Sequence, residues 1–315
     1  MDPLVSVCMP CFNAERYVKT AIDSILEQSW NSLELIVVND GSTDASGLIL
    51  DSIGDFRVKV VHQNSRGQCA AANRALAEAQ GSLIKFFDAD DLLSVDSIKN
   101  QVNKIGSRQD VIASSEWGRF YSDDLSTFSL NEQSVWRNMP AINWLVEAWA
   151  DAQPMMQCGL WLIPRAIIDK AGGWDESLSL INDFEFFARV LCHAEEIRFT
   201  PGARLYYRSG INGSLSSRKT RSAAESAFHS IMKGTGHLLA RCSVPEARLS
   251  CANVMQNFLY TFYPEHPDLR AAMSARIAEL GGSNLPPSGG PWFQRARRLI
   301  GWKAARRLQR ATGRF

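Results

Sequence analysis

Apolar runs of strand length alternate with helical stretches through the first third of the chain, and this alternation limits the fold more than any other feature. Residues 4–9 are Leu-Val-Ser-Val-Cys-Met and stop at Pro10, residues 33–38 are Leu-Glu-Leu-Ile-Val-Val, and residues 58–61 are Val-Lys-Val-Val. Between them the spacing is helical. Tyr17, Ala21, Ile22, Ile25 and Leu26 recur at three and four residues behind Asn13, which is suited to N-capping. An alanine-rich stretch runs from Gly67 to Ala79 and stops at Gly81. A helix over 95–105 and a strand over 111–114 extend the pattern. Apolar strands joined by helices form a parallel sheet with right-handed crossovers, so the expected class is α/β, a Rossmann-like mostly parallel sheet flanked by helices. Ligands bind such sheets beyond the carboxyl ends of the strands. The loops at 10–13, 39–42, 63–67 and 88–91 are therefore expected to meet along one edge.

The last of these loops is the most telling. The run Ile84-Lys85-Phe86-Phe87 ends in Asp88-Ala89-Asp90-Asp91, three carboxylates within four residues. Like charges this close oppose one another's ionisation unless a cation neutralises them. Oxygen ligands of this kind suit Mg²⁺ or Mn²⁺, which bind through one or two carboxylates together with substrate phosphates. The alternative is an acidic helix N-terminus, with Asp90 and Asp91 favouring the dipole of a helix starting near Ser94.

Of the 315 residues, 45% are hydrophobic and 21% charged, with a formal net charge of +1. This argues against a general nucleic-acid binder, though no Asp or Glu follows Glu279. Nowhere do eighteen apolar residues run together, and the N-terminus lacks the basic and apolar regions of a signal peptide. Seven scattered cysteines suit a reducing compartment. Cys8-Met9-Pro10-Cys11 could be a redox pair, but Cys8 as a small buried strand residue and Cys11 as a loop residue fit better, since an acidic site downstream has no place in a dithiol oxidoreductase. The five histidines form no cluster.

Four motifs now stand in order at strand ends: Pro10-Cys11-Phe12-Asn13, Val37-Val38-Asn39-Asp40-Gly41-Ser42-Thr43-Asp44, Gly67-Gln68 with Asn73, and Phe87-Asp88-Ala89-Asp90-Asp91. Together they resemble family 2 glycosyltransferases, which have the GT-A fold and move a sugar from a nucleotide-diphosphate donor with inversion. The resemblance implies that Pro10, Phe12 and Glu15 shape the base and ribose pocket and that Asp40 accepts from a pyrimidine N–H. It places Arg66 and Asn73 near the nucleotide or donor sugar, Asp88 at ribose or sugar hydroxyls, Asp90 on the metal and Asp91 facing the donor sugar. Many members carry Arg where this chain has Ala72.

Further on, residues 161–176 and Ile181-Asn182-Asp183-Phe184-Glu185 resemble the family's approach to its catalytic acid, with Asn182 replacing the first acid of the pair. The resemblance makes Asp183 the general base, although it also suits a helix start in which Glu185 and Arg189 pair. Tyr206-Tyr207-Arg208 and Ser214-Leu215-Ser216 resemble the closing segment, with Arg208 stabilising the leaving group; the His that often follows is missing. Trp117, Trp136, Trp144 and Trp149 could stack on sugars, but core filling is the more ordinary role of such residues.

The organisation expected is a nucleotide-sugar-binding half (1–110) and an acceptor-binding and catalytic half (111–217) of one domain, then a helical extension (218–283) and a linker with a basic amphipathic tail (284–315). In the tail, Trp292, Phe293, Ala296, Leu299 and Ile300 share one helical face. Past Gly301, Trp302, Ala305 and Leu308 share another, opposite Lys303, Arg306, Arg307 and Arg310. That is the pattern of an interfacial membrane segment, with a partner-protein target or a solvated tail as alternatives.

The function expected is metal-dependent inverting transfer, non-processive, from a UDP-sugar to a glycan or lipid-linked acceptor in cell-surface polysaccharide synthesis. The setting expected is cytoplasmic, peripheral on the inner face of the plasma membrane. Processive synthases carry Gln-x-x-Arg-Trp, and here Gln294-Arg295-Ala296-Arg297 leads to Arg298. A nucleotide-sugar-binding partner subunit without its own turnover is the alternative from another class. A nucleotidyltransferase would open with a Gly-rich basic loop, which residues 10–13 are not.

Overall fold

In the computed structural model, residues 2–152, 155–210 and 220–312 are described. The chain opens with β1 (Val5–Cys11), α1 (Val18–Leu26), β2 (Leu33–Asp40), α2 (Ser46–Asp51), β3 (Val58–Gln63), α3 (Gln68–Glu78) and β4 (Leu83–Phe86). These four strands are parallel, in the order β3-β2-β1-β4. The physical reason is visible in β1 and β2: Val5, Val7, Cys8, Met9 and Leu35 to Val38 are all fully buried, so both faces need a covering layer of helices. Helix α3 supplies one side with Ala71, Ala72 and Ala75, whose small side chains let it lie close to the sheet.

After residue 87 the chain changes sheets. It continues through β5 (Leu92–Leu93), α4 (Ser97–Ile105), β6 (Val111–Tyr121), β7 (Asp124–Leu130), β8 (Met139–Pro140) and α5 (Ala141–Ala148). Next come β9 (Ile163–Pro164), α6 (Arg165–Ala171), α7 (Asn182–Leu191) and β10 (Glu196–Ser209). Strand β9 returns antiparallel to β4, closing the first sheet. The second sheet runs β5-β10-β6-β7, with β6 and β10 parallel and β8 on the flank of β10. The result is a mixed α/β molecule with two mostly parallel sheets flanked by helices. An aromatic layer packs beneath: Trp174 stacks on Phe186 at 4.0 Å and meets Phe86 edge-on at 5.2 Å. Burial of each such ring contributes on the order of 2 kcal/mol. Trp117, Trp144 and Trp149 fill core, and Trp136 stacks on Phe199.

Helices α8 (Arg221–Arg241), α9 (Pro245–Phe262), α10 (Pro267–Glu279) and α11 (Pro291–Thr312) complete the chain. Helix α8 lies along α7, and Gly234 allows the approach, since a Cβ there would meet the Phe184 ring at 2.6 Å. No described helix is long and apolar enough to cross a membrane.

Several local expectations change. Helix α1 starts at Val18 rather than behind Asn13, because Asn13 adopts φ 48° and its side chain accepts from the Thr43 amide at 2.8 Å. Strand β6 outruns residues 111–114 because it is paired on both sides. The stretch read as a linker is tied to α9: Asn253 donates to Asn284 at 2.9 Å and the Tyr260 hydroxyl to the Leu285 carbonyl at 2.9 Å. In the tail, Gly301 (φ 75°) does break the helix. Yet Phe293 and Ala305 are fully buried and Trp302 packs on Tyr260 and Tyr263, so the aromatic side faces the body. Leu308, expected beside Trp302 and Ala305, is exposed instead. Cys8 and Cys11 are free buried thiols, and burial pushes Cys11 up to about 12, which disfavours a reactive thiolate.

Candidate active site

The three aspartates lie where the chain leaves β4 in one sheet and enters β5 in the other. Their carboxylate oxygens come within 4.8 Å of one another, with Asp91 buried and Asp88 and Asp90 half-buried. Each is held separately. Gln68 donates to Asp88 Oδ1 at 3.0 Å, and the Gln157 amide donates to Asp88 Oδ2 at 2.9 Å and Asp91 Oδ2 at 2.8 Å. The Arg208 amide donates to Asp91 Oδ1 at 2.8 Å, and its guanidinium to the Asp90 carbonyl at 2.6 Å. Gln157 Oε1 in turn accepts from the Gly159 amide at 2.6 Å, which fixes the orientation of its amide. Behind it the fully buried Lys85 donates to Gln101, to the Gly159 carbonyl at 2.6 Å and to the Trp161 carbonyl. Burial lowers Lys85 to about 7.

Crowding sets the charge state. Burial and the neighbouring Asp88 push Asp90 up to about 7, with Arg208 opposing. Asp91 is raised well above its ordinary value by burial, then by Asp90 and Asp88. Such a cluster stores protons until positive charge arrives.

Asp183 lies close enough to this cluster to feel its charge. It opens α7, and its pKa is raised well above the ordinary value by burial and then by the charge of Asp88. A short relay joins the two: Gln68 binds Asp88 with its amide nitrogen, while its oxygen accepts from Asn182 Nδ2 at 3.2 Å. Asn182, where an acid would be usual, thus spans the gap and also caps the Asp183 amide at 2.9 Å. Among the described residues the Asp183 carboxylate takes no hydrogen bond. The turn before it is pinned by α8. Ser226 Oγ accepts from the Ser179 and Leu180 amides, and Ser230 Oγ donates to the Ile181 carbonyl at 2.7 Å. The Glu185–Arg189 pair forms at 2.7 Å.

The remaining candidates are distributed around this centre. Pro10 lies one residue inside the end of β1, which runs on to Cys11, and Phe12 is half exposed just beyond it. Glu15 accepts from the Ala45 amide at 2.8 Å at the start of α2. Asp40 is buried, and both its oxygens are occupied: Gln63 and the Arg66 amide bond Oδ1, while Ser65 and the Gly67 amide bond Oδ2. It shapes the 63–67 loop. Asn73 is tied to Trp174 through the amide nitrogen (2.7 Å) and the carbonyl (2.9 Å). Arg66 is exposed and pairs with Glu176 at 3.0 Å. Ala72 is buried in the core. Arg208 lies between the Tyr17 and Phe120 rings and pairs with Asp123 at the β6–β7 turn. The expected closing segment from Ile211 onward, including Ser214-Leu215-Ser216, lies outside the described residues. Gln157 and Asp123 carried no motif that would single them out, and Gln68 and Lys85 stood within quoted motifs without a role of their own.

The sequence model described as Glycosyl transferase family 2 matches residues 6–171. Among curated relatives, glycosyltransferase GlyA of Streptococcus pneumoniae is 36% identical over 39% of this chain and 17% of its own length. The putative teichuronic acid biosynthesis glycosyltransferase TuaG of Bacillus subtilis is 39% identical over 32% of this chain and 41% of its own. The matched stretches thus span less than half of these relatives. Among solved structures, S. aureus TarS 1-349 in complex with UDP-GlcNAc has a TM-score of 0.62 at 17% identity, covering 98% of this chain and 92% of that one. Mannosyltransferase PcManGT from Pyrobaculum calidifontis, in complex with GDP-Man and Mn2+, has a TM-score of 0.58 at 18% identity, covering 100% and 89%. These likenesses establish the GT-A-type fold.

Proposed function

Because the chain belongs to glycosyl transferase family 2, we propose that it transfers a sugar from a nucleotide-diphosphate donor, read as a UDP-sugar, to a hydroxyl of a glycan or lipid-linked acceptor, with inversion and one transfer per acceptor. The observation that carries this reading is the closeness of Asp183 to Asp88, whose charge raises it and which is linked to it through Gln68 and Asn182. Inverting transfer needs a carboxylate within reach of the acceptor hydroxyl, on the side away from the leaving diphosphate, and the Asp183 carboxylate, which takes no hydrogen bond among the described residues, suits that task.

The donor set fits a hard divalent ion: three carboxylates with oxygens within 4.8 Å of one another, Asp88 and Asp90 half-buried and Asp91 buried. Mg²⁺ or Mn²⁺ held by Asp90, with Asp88 and Asp91 beside it, would supply positive charge that keeps these acids ionised and offsets charge on a departing diphosphate. Asp183 takes up the acceptor's proton as the hydroxyl attacks. Asp91, fixed by Gln157 and the Arg208 amide, presents a rigid acceptor to the donor sugar. Arg208 adds a cation beside the same edge, suited to leaving-group charge. Pro10, Phe12 and Glu15, together with the 63–67 loop built on Asp40, line the approach where a base and ribose fit.

The polysaccharide setting is proposed by analogy with TuaG. A donor-binding subunit without turnover is the second reading, favoured by Ala72 and by Asn182 in place of an acid. One assay separates them. Release of nucleoside diphosphate is followed across nucleotide sugars and acceptors with and without Mn²⁺. Metal-stimulated release that Asp183→Asn abolishes supports the enzyme; tight donor binding with no release supports the subunit.

A further inference from the structure

After Glu279 the chain carries eight Lys and Arg and no Asp or Glu, although its whole formal charge is only +1. Helix α11 sorts these charges. Arg306 lies over the Phe293 ring at 4.3 Å and Arg310 pairs with Glu265, so both face the protein. Arg298, Lys303 and Arg307 are exposed and form no ion pair among the described residues, although Lys303 reaches over the Trp302 ring at 5.8 Å and Arg307 over the Tyr263 ring at 5.6 Å. Apolar side chains stand exposed among them: Leu299 at 86%, Ile300 at 50% and Leu308 at 44%. Large aliphatic groups are not left this open without a cost in water.

We infer that this outer face docks the protein on an anionic lipid bilayer, with Arg298, Lys303 and Arg307 at the headgroups and Leu299, Ile300 and Leu308 entering the interface. The inference is independent of the active-site reading. Charge complementarity selects the occupant: an anionic surface attracts clustered cations, and interleaved aliphatic groups gain by leaving water. A groove of about 750 Å³ bordered by Tyr263, Trp302, Lys303, Arg307 and Leu308 offers space for a headgroup at the same face. The aromatic side chains are not the anchors, because Phe293 is buried and Trp302 packs on Tyr260 and Tyr263. The helix is thus a platform fixed to α9 and its following loop, and its removal would open the body as well as the face.

The test therefore uses point variants of the full chain. Sedimentation with vesicles of mixed phosphatidylglycerol and phosphatidylcholine is compared with phosphatidylcholine alone, with thermal melts confirming that each variant folds. The intact chain is expected to sediment with the anionic vesicles and to be released by salt. Each cation contributes about a fivefold gain in partitioning, so Arg298→Gln with Lys303→Gln and Arg307→Gln should lower it about a hundredfold. Leu299→Ser with Leu308→Ser should lower it as well, with all charges kept. The inference is overturned if the intact chain ignores anionic vesicles or if either variant binds them as well as the parent. It is also overturned if the parent self-associates through this face, read as an oligomer that the leucine variant dissolves without any vesicle binding.

Discussion

Replacing Gln157 with Leu tests how the aspartates are held. The Gln157 amide is buried and makes three hydrogen bonds: two donated to Asp88 and Asp91, and one accepted from the Gly159 amide. Leucine fills similar space and makes none of them. A hydrogen bond to a charged group contributes about 1.5 kcal/mol at the low end, and a buried amide left without a partner costs about 1 kcal/mol or more. The sum is about 4 kcal/mol, and at about 2 °C per kcal/mol for a chain of this size the melting temperature should fall by about 8 °C. The second readout is the cation. Loss of a group that orients metal-binding carboxylates weakens affinity about 10- to 100-fold. Calorimetric titration of Mn²⁺ into both proteins, paired with thermal melts, measures both effects. A variant that melts within about 1 °C of the parent and binds Mn²⁺ equally would show that Gln157 does not position the acids.

Asp183→Asn keeps the shape of the side chain and removes the base, so transfer should fall by about 10²- to 10⁴-fold while donor affinity measured by titration stays near normal. Near-normal turnover would rule Asp183 out. Asp90→Ala should abolish the Mn²⁺ dependence of donor binding, and an unaltered Mn²⁺ titration would place the ligand elsewhere. The pH dependence follows from Asp90, raised from the ordinary 3.8 to about 7. Between those values the folded protein holds more protons than the unfolded chain, so the metal-free form should lose stability as pH rises through that window. Mn²⁺ binding should run the opposite way, weakening by up to about tenfold per pH unit below 7 as protons compete. Melts and titrations across pH check both signs, and a flat Mn²⁺ profile would count against a protonated Asp90.

Much of the first sheet could be read from the residues because both faces of β1 and β2 are apolar, and few folds bury such strands. The acidic loop was legible for a similar reason, since three adjacent carboxylates need an explanation of their own. Other features depend on contacts distant in sequence. Nothing marks Gln157 among the chain's other glutamines, and the motif that holds Gln68 gave it no role; their roles arise when β4, the segment before Trp161 and α7 converge. Asn182 looked like a lost acid and proves to be the bridge between Gln68 and Asp183. Helix α10 escaped notice because it buries little, chiefly Met273 and Ile277. In the tail, periodicity marked the break at Gly301 and tells which side chains share a face, but not which face meets the body.

The crossing of residues 87–91 from one sheet to the other has a mechanical corollary. The acids are the stitching along a seam, and their raised pKa values mean that positive charge arriving there acts on both slabs at once. Whatever binds there works as a rivet as well as a reactant. Occupancy should therefore be felt along β5 and β10, where amide protons would exchange more slowly.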